Sequence, residues 1–298
     1  MKRANFIPFV ILIFLMPVAL IAAGIGKKTG TECINQTEPW FSVKEYSKGV
    51  WIIGDHGADN MYLVVGKDSA LLVDTGLGVA DLAATVKKIT DKPLIVVNTH
   101  GHPDHSGANY QFEKVFMHPA DILAAKQFNQ PEARARSAGN MTQGSEPREE
   151  EKYKGTPYDT KYIPVTEGRT FNLGGRRIQV METPGHTPGS ICLLDIENKL
   201  LFSGDNNNML VWLFLQNCLP LHKYLETLQK QQKRLNEFTT LLPGHGTPVS
   251  SDFINDQAAC VKSILDGTCQ AKEYKSFAGN AMLCSYGRAS VAYRPDNL

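Results

Sequence analysis

No block of five or more like charges occurs anywhere in these 298 residues, and 31 lysines and arginines stand against 30 aspartates and glutamates. With a formal charge of only +1, the chain has no basic patch for a polyphosphate backbone, which sets nucleic acid aside as a partner. Low complexity is missing too. Hydrophobic residues make up 42% of the chain and charged ones 20%, so neither a disordered nor a collagen-like protein fits. None of the six cysteines (Cys33, Cys192, Cys218, Cys260, Cys269, Cys284) stands in a CxxC pair, which argues against a thiolate zinc site or a dithiol redox motif. No internal repeat is visible. What remains is a chain long enough to bury a full core, and it reads as one large domain at about residues 40–270.

Long apolar runs are confined to one place. Met1, Lys2 and Arg3 precede Phe6 to Leu20, apolar throughout and broken only by Pro8 and Pro17, and Ala22, Ala23 and Gly24 follow. Charge, apolar stretch and small residues in that order read as a secretory signal peptide over residues 1–24, so the protein is expected to be exported, periplasmic or secreted. The alternative is an uncleaved amino-terminal anchor, since Phe6 to Ile25 is long enough to span a bilayer; Pro17 speaks against it. Cys33 follows Thr31 and Glu32 rather than the small residues, which disfavours a lipoprotein. In an exported chain disulfides are permitted. Cys260 with Cys269 or Cys284 reads as a staple on a tail at 271–298, and Cys192, inside an apolar run, as a buried thiol.

Past a polar stretch, Val50 to Ile53, Met61 to Val65 and Ala70 to Asp74 are short β-rich runs that suit an antiparallel meander. Strand and helix then alternate: a helix over Val79 to Ile89, a strand over Leu94 to Asn98, a strand at Val115 to Met117 and a helix over Ala120 to Phe128. Asn129 to Asp159 turns polar and reads as a lid or a solvated loop. Strands resume at Thr170 to Leu173, Arg177 to Glu182, Ser190 to Asp195 and Leu200 to Phe202; a helix covers His222 to Glu237, a strand Thr240 to Leu242 and a closing helix Asp252 to Leu265. Two halves, each with strands first and helices after, predict two sheets packed face to face with helices outside.

The strand at Leu94 to Asn98 runs into Thr99-His100-Gly101-His102-Pro103-Asp104-His105. Residues two apart on an extended loop turn their imidazoles to one side, and the turn carries Asp104 and His105 round to a second position; Gly101 and Pro103 ease that path. Three later segments each place a metal-capable side chain just after a predicted strand and beside glycine: Gly185-His186, Gly204-Asp205 and Gly244-His245. Singly these are ordinary loop residues. Together with HxHxDH they are better explained as ligands converging at one sheet edge.

In order and wording these segments resemble the metallo-β-lactamase superfamily, and Val73-Asp74-Thr75-Gly76 is similar to its Asp-Thr-Gly turn. The resemblance spans roughly Val50 to Asp266. It implies an α/β (four-layer α+β) fold, the αββα sandwich, with a two-metal site: His100, His102 and His186 on one metal, Asp104, His105 and His245 on the other, and Asp205 between them. Asp74 would orient the histidine loop. The loop carrying His56 can overhang the metals in this fold.

Five neutral imidazoles and two carboxylates with no thiolate suit Zn²⁺ best, two per chain, with Fe²⁺ or Mn²⁺ as alternatives. A water shared by two such ions would become hydroxide near neutral pH and attack the substrate, with Asp104 accepting a proton or orienting the nucleophile. The expected function is therefore an exported binuclear hydrolase of an ester, thioester, lactone or related bond in a small-molecule substrate, with no membrane contact beyond an anchor. The runner-up is β-lactam cleavage, against which Asp205 speaks, since true β-lactamases of the superfamily generally carry cysteine or serine there. A lactonase would be expected to carry a tyrosine where this chain has Asn208. A binding module without turnover, and a di-iron oxygen-handling protein, are the remaining readings; the second usually has glutamate in place of His102. Trp212 and Phe214, just after Asp205, suit either core or pocket wall. His118 reads as structural, and His222 is given no role.

Overall fold

The computed structural model describes residues 39–298, so the amino-terminal apolar run and Cys33 lie outside the described residues. Among the described residues, no helix is long and apolar enough to cross a membrane. The first half opens with β1 (Phe41–Ser47), β2 (Val50–Asp55), β3 (Asn60–Val65) and β4 (Ala70–Val73), an antiparallel meander. It continues with α1 (Leu82–Ile89), β5 (Leu94–Val97), the short α2 (Pro103–Ser106), β6 (Lys114–Met117), α3 (Ile122–Phe128), α4 (Pro131–Met141) and β7 (Lys161–Pro164). From β4 to β7 the pairing is parallel. The second half runs β8 (Thr170–Asn172), β9 (Arg177–Glu182), β10 (Ile191–Asp195), β11 (Leu200–Gly204), β12 (Leu210–Leu213), α5 (Leu221–Gln232), β13 (Thr240–Pro243), β14 (Val249–Ser250) and α6 (Phe253–Leu265). It ends in β15 (Lys272–Ser276), β16 (Gly279–Tyr286) and β17 (Ala289–Tyr293).

Seven strands, β1 to β7 in order, make the first sheet; six, in the order β14-β13-β11-β10-β9-β8, make the second; β12-β17-β16-β15 make a third. The period of two decides the layering. Tyr62, Val64, Leu71 and Val73 point inward and share one core with Ile178, Val180, Leu193, Phe202 and Leu242 of the facing sheet. Their neighbours Met61, Leu63, Ala70 and Leu72 point the other way and pack with Leu82 and Val86 of α1. On the far side, Cys192, Leu194, Leu201 and Leu241 meet Leu221, Tyr224 and Leu228 of α5 and Phe253, Ile254 and Val261 of α6. The central strands are thus apolar on both faces, which is why they read as continuous hydrophobic runs. The result is the expected sandwich of two sheets between helical layers.

Several local expectations change. The polar excursion contains α4, started by Pro131 at its first position, where a missing N–H costs nothing. The helix read over His222 to Glu237 stops at Gln232. The tail read at 271–298 holds three strands, and through β17 it pairs in parallel with β12. Cys260 is not a staple: the disulfide joins Cys269 to Cys284, and Cys260 is a buried free thiol on α6, as Cys192 is within its strand.

Candidate metal centre

Parallel strands send their following loops to the same edge. β4 and β5 are parallel, as are β11 and β13, and the chain after each delivers one part of the site: Asp74 after β4, His100 to His105 after β5, Asp205 after β11 and His245 after β13. His186 arrives from the β9–β10 loop. The two sheets are tied together at this edge, where Ile191 N donates to Thr99 O at 2.8 Å and Asn60 N to Gly244 O at 2.7 Å. Gly244 has no room for a side chain, since a Cβ would lie 2.5 Å from Asp205 Oδ1 and 2.7 Å from His105 Cε1.

All seven predicted side chains converge. Three sets have ligand atoms within 4.8 Å of one another: His100, His102 and His186; His100, His105 and Asp205; Asp104, His105 and His245. His102 Nδ1 and His186 Nε2 are 2.8 Å apart. Asp205 faces both groups, with Oδ2 3.4 Å from His186 Nε2 and Oδ1 3.3 Å from His105 Nε2 and 3.4 Å from His245 Nε2. Asp104 Oδ2 lies 3.3 Å from His245 Nε2 and 3.5 Å from His105 Nε2.

The hydrogen bonds behind the imidazoles set their tautomers. Asp74, at a φ of 63°, accepts from Thr99 N at 2.7 Å and from Thr99 Oγ1 at 2.8 Å, and pairs with His105 Nδ1 at 2.9 Å. Because the Thr99 hydroxyl spends its proton on Asp74, it accepts from His100 Nδ1, 3.1 Å away. His186 Nδ1 donates to Trp212 O at 2.7 Å. In the neutral form of each of these three rings the Nε2 lone pair is therefore left free and aimed inward. His100 Nε2, His105 Nε2 and Asp205 Oδ1 are buried without a hydrogen-bond partner among the described residues, a costly arrangement in a protein interior unless cations sit among them. The donor set fits divalent metal ions.

Charge follows the same division. Burial holds His100 well below the usual histidine range, lowers His186, and brings His102 to about 4, so this trio is neutral and able to ligate. Burial opposes a charge on His105 and His245 as well, but Asp104 and Asp205 outweigh it and raise both. Against burial, which favours the acid form, His105 and His245 bring Asp104 down to about 2 and hold Asp205 well below the carboxylate range.

The centre opens into a cavity of about 860 Å³ that His102, Asp104, His186, Asp205 and His245 line together with apolar side chains from α3, α4 and β12. Trp212 is a wall of this cavity, whereas Phe214 is buried core. His56 does not reach it: its ring stacks on Trp40 at 4.3 Å, and only Gly57 and Ala58 of that loop line the space. His118 faces Glu182, and His222 is an exposed residue that meets the Leu298 carbonyl. Sequence reasoning missed Asp121. Buried just before α3, it accepts from Gly101 N at 2.9 Å, Thr187 Oγ1 at 2.6 Å and Gly189 N at 2.8 Å, tying the two histidine loops together. Nor did it foresee a role for Asn208, whose Oδ1 accepts from His245 N at 3.0 Å.

The model of the metallo-beta-lactamase superfamily matches residues 54–245. Similar curated proteins include the acyl-coenzyme A thioesterase MBLAC2 of Gallus gallus, 30% identical with 80% of this chain and 94% of that protein covered. The Homo sapiens protein of the same name is 28% identical, with 75% and 90% covered. Among solved structures, a metallo-beta-lactamase from Pontibacter korlensis superposes with a TM-score of 0.55 at 21% identity, covering 74% of this chain and 99% of that one.

Proposed function

Because this chain belongs to the metallo-beta-lactamase superfamily, we propose that it is a binuclear, zinc-dependent thioesterase that hydrolyses acyl thioesters of the acyl-coenzyme A type. Hydrolysis agrees with the thioesterase names of its relatives. The observation that carries the reading is the pairing of a seven-ligand centre with a largely apolar cavity opening directly onto it. His100, His102 and His186 would hold one ion, Asp104, His105 and His245 the other, with Asp205 facing both. When bound, the ions supply a nucleophile from water at neutral pH and polarise the thioester carbonyl.

The protein's own groups do the rest. Asp74 and the Trp212 carbonyl keep the imidazoles in the ligating tautomer. Asp104, held ionised by His105 and His245, keeps a carboxylate beside them that would accept a proton or orient the nucleophile. The cavity walls exclude water from the acyl chain, so that apolar burial draws the substrate in. Export is part of the proposal: the amino-terminal run from Met1 to Gly24 and a disulfide between Cys269 and Cys284 suit an oxidising compartment.

The test is a panel of an acyl-coenzyme A, a lactone, nitrocefin and a bis-aryl phosphate on protein whose metal content has been measured. About two zinc ions per chain and a kcat/KM highest for the thioester are expected. Faster turnover of nitrocefin, or less than about one ion per chain, would overturn the reading.

A further inference from the structure

We propose that the turn of the β15–β16 hairpin, through Phe277, is the wall that selects the substrate's acyl chain by length, an inference that rests on the thioesterase reading. Phe277 and Ala278 at this turn line the same cavity as the metal ligands. The hairpin lies wholly beyond residue 245, where the superfamily match ends. Its ring stands 5.6 Å from that of Trp212, and Trp212 Nε1 donates to Tyr274 Oη at 3.2 Å, so the hairpin leans on β12 by an aromatic cluster. The Trp212 carbonyl in turn holds His186. One strand thus joins the ligand-bearing floor to the outer wall.

Phe277 is 62% exposed, an apolar ring left in water for want of something to cover it. Among the described residues, no lysine or arginine lines the cavity, which points to recognition of the hydrocarbon rather than of the phosphates of a carrier. An acetyl group seated at the ligands leaves this rim untouched. A long acyl chain leaving the floor runs between Trp212 and Phe277 and buries the exposed face of the phenyl ring. Truncating the ring should therefore weaken long chains and spare short ones.

The probes are the non-hydrolysable thioethers S-hexadecyl-coenzyme A and S-ethyl-coenzyme A, titrated calorimetrically into zinc-loaded wild type, Phe277→Ala and Phe277→Leu. Phe277→Ala should raise Kd for the hexadecyl compound about tenfold, as expected for losing most of one buried aromatic contact, and change the ethyl compound by less than about twofold. Phe277→Leu should recover most of the loss. The matching acyl-coenzyme A substrates should show the same split, expressed in KM rather than kcat. Equal weakening of both probes, or of neither, overturns the proposal. If wild type binds the hexadecyl probe with this dependence on Phe277 yet hydrolyses no thioester, the chain-selecting wall stands and the thioesterase reading falls.

Discussion

Asp121 shows how a residue with no chemistry of its own can govern a site. Its carboxylate collects donors from Gly101, Thr187 and Gly189, and Asp121→Ala would leave buried N–H and O–H groups unpaired. A loss of about 3 kcal/mol is expected, to be read from the shift in urea midpoint at constant m-value, along with weaker zinc binding. His102→Ala should remove most of one ion and lower kcat/KM by about a thousandfold or more, whereas His222→Ala, on the exposed start of α5, should alter neither; equal effects would refute the ligand assignment. The candidate ligands were legible because HxHxDH compresses four of them into six positions, His100 to His105. Asp121 was not, because its partners are 20, 66 and 68 residues away in the chain. Nothing about an isolated aspartate before a helix signals that.

Legibility among the elements follows burial. Strands buried on both faces, such as β4 and β10, stood out. β1, partly shielded only at Phe41 and exposed beyond it, and β15, with no buried residue, offer no alternation and went unread. The third sheet is instead secured by β17, whose Val291 and Ala292 are fully buried, and by the covalent link from Cys269 to Cys284, 15 residues apart. A crosslink closing a loop of that size contributes about 3 kcal/mol by restricting the unfolded chain. Cys269→Ser with Cys284→Ser should lower the thermal midpoint accordingly, and hydrogen exchange should show β15 and β16 opening before the central strands. Unchanged protection in β15 would contradict this.

Across the whole molecule, burial of acids near the site sets a pH dependence. Asp55 is fully enclosed; burial, offset in part by the Leu77 N–H and the Trp40 indole, raises its pKa from 3.8 to about 6. Asp59, buried beside it, shifts the same way. The unfolded chain releases the Asp55 proton first, so the contribution is fully present below pH 4 and is lost as pH rises to about 6, amounting to about 3 kcal/mol. Urea denaturation at a series of pH values should show Asp55→Asn with a shallower decline over that window than wild type. Parallel profiles would exclude Asp55 as the source.

Lys154 and Gly155 lie exposed in the stretch between α4 and β7, which carries no helix or strand. A single tryptic nick after Lys154 severs no ladder, yet it divides the candidate ligands between two polypeptides: His100, His102, Asp104 and His105 on one, His186, Asp205 and His245 on the other. The inter-sheet core and the β6–β7 pairing would keep the halves joined. Expressed separately, each half would be inert, and hydrolysis should return only on mixing, which turns this enzyme into a split reporter whose signal requires two molecules to meet.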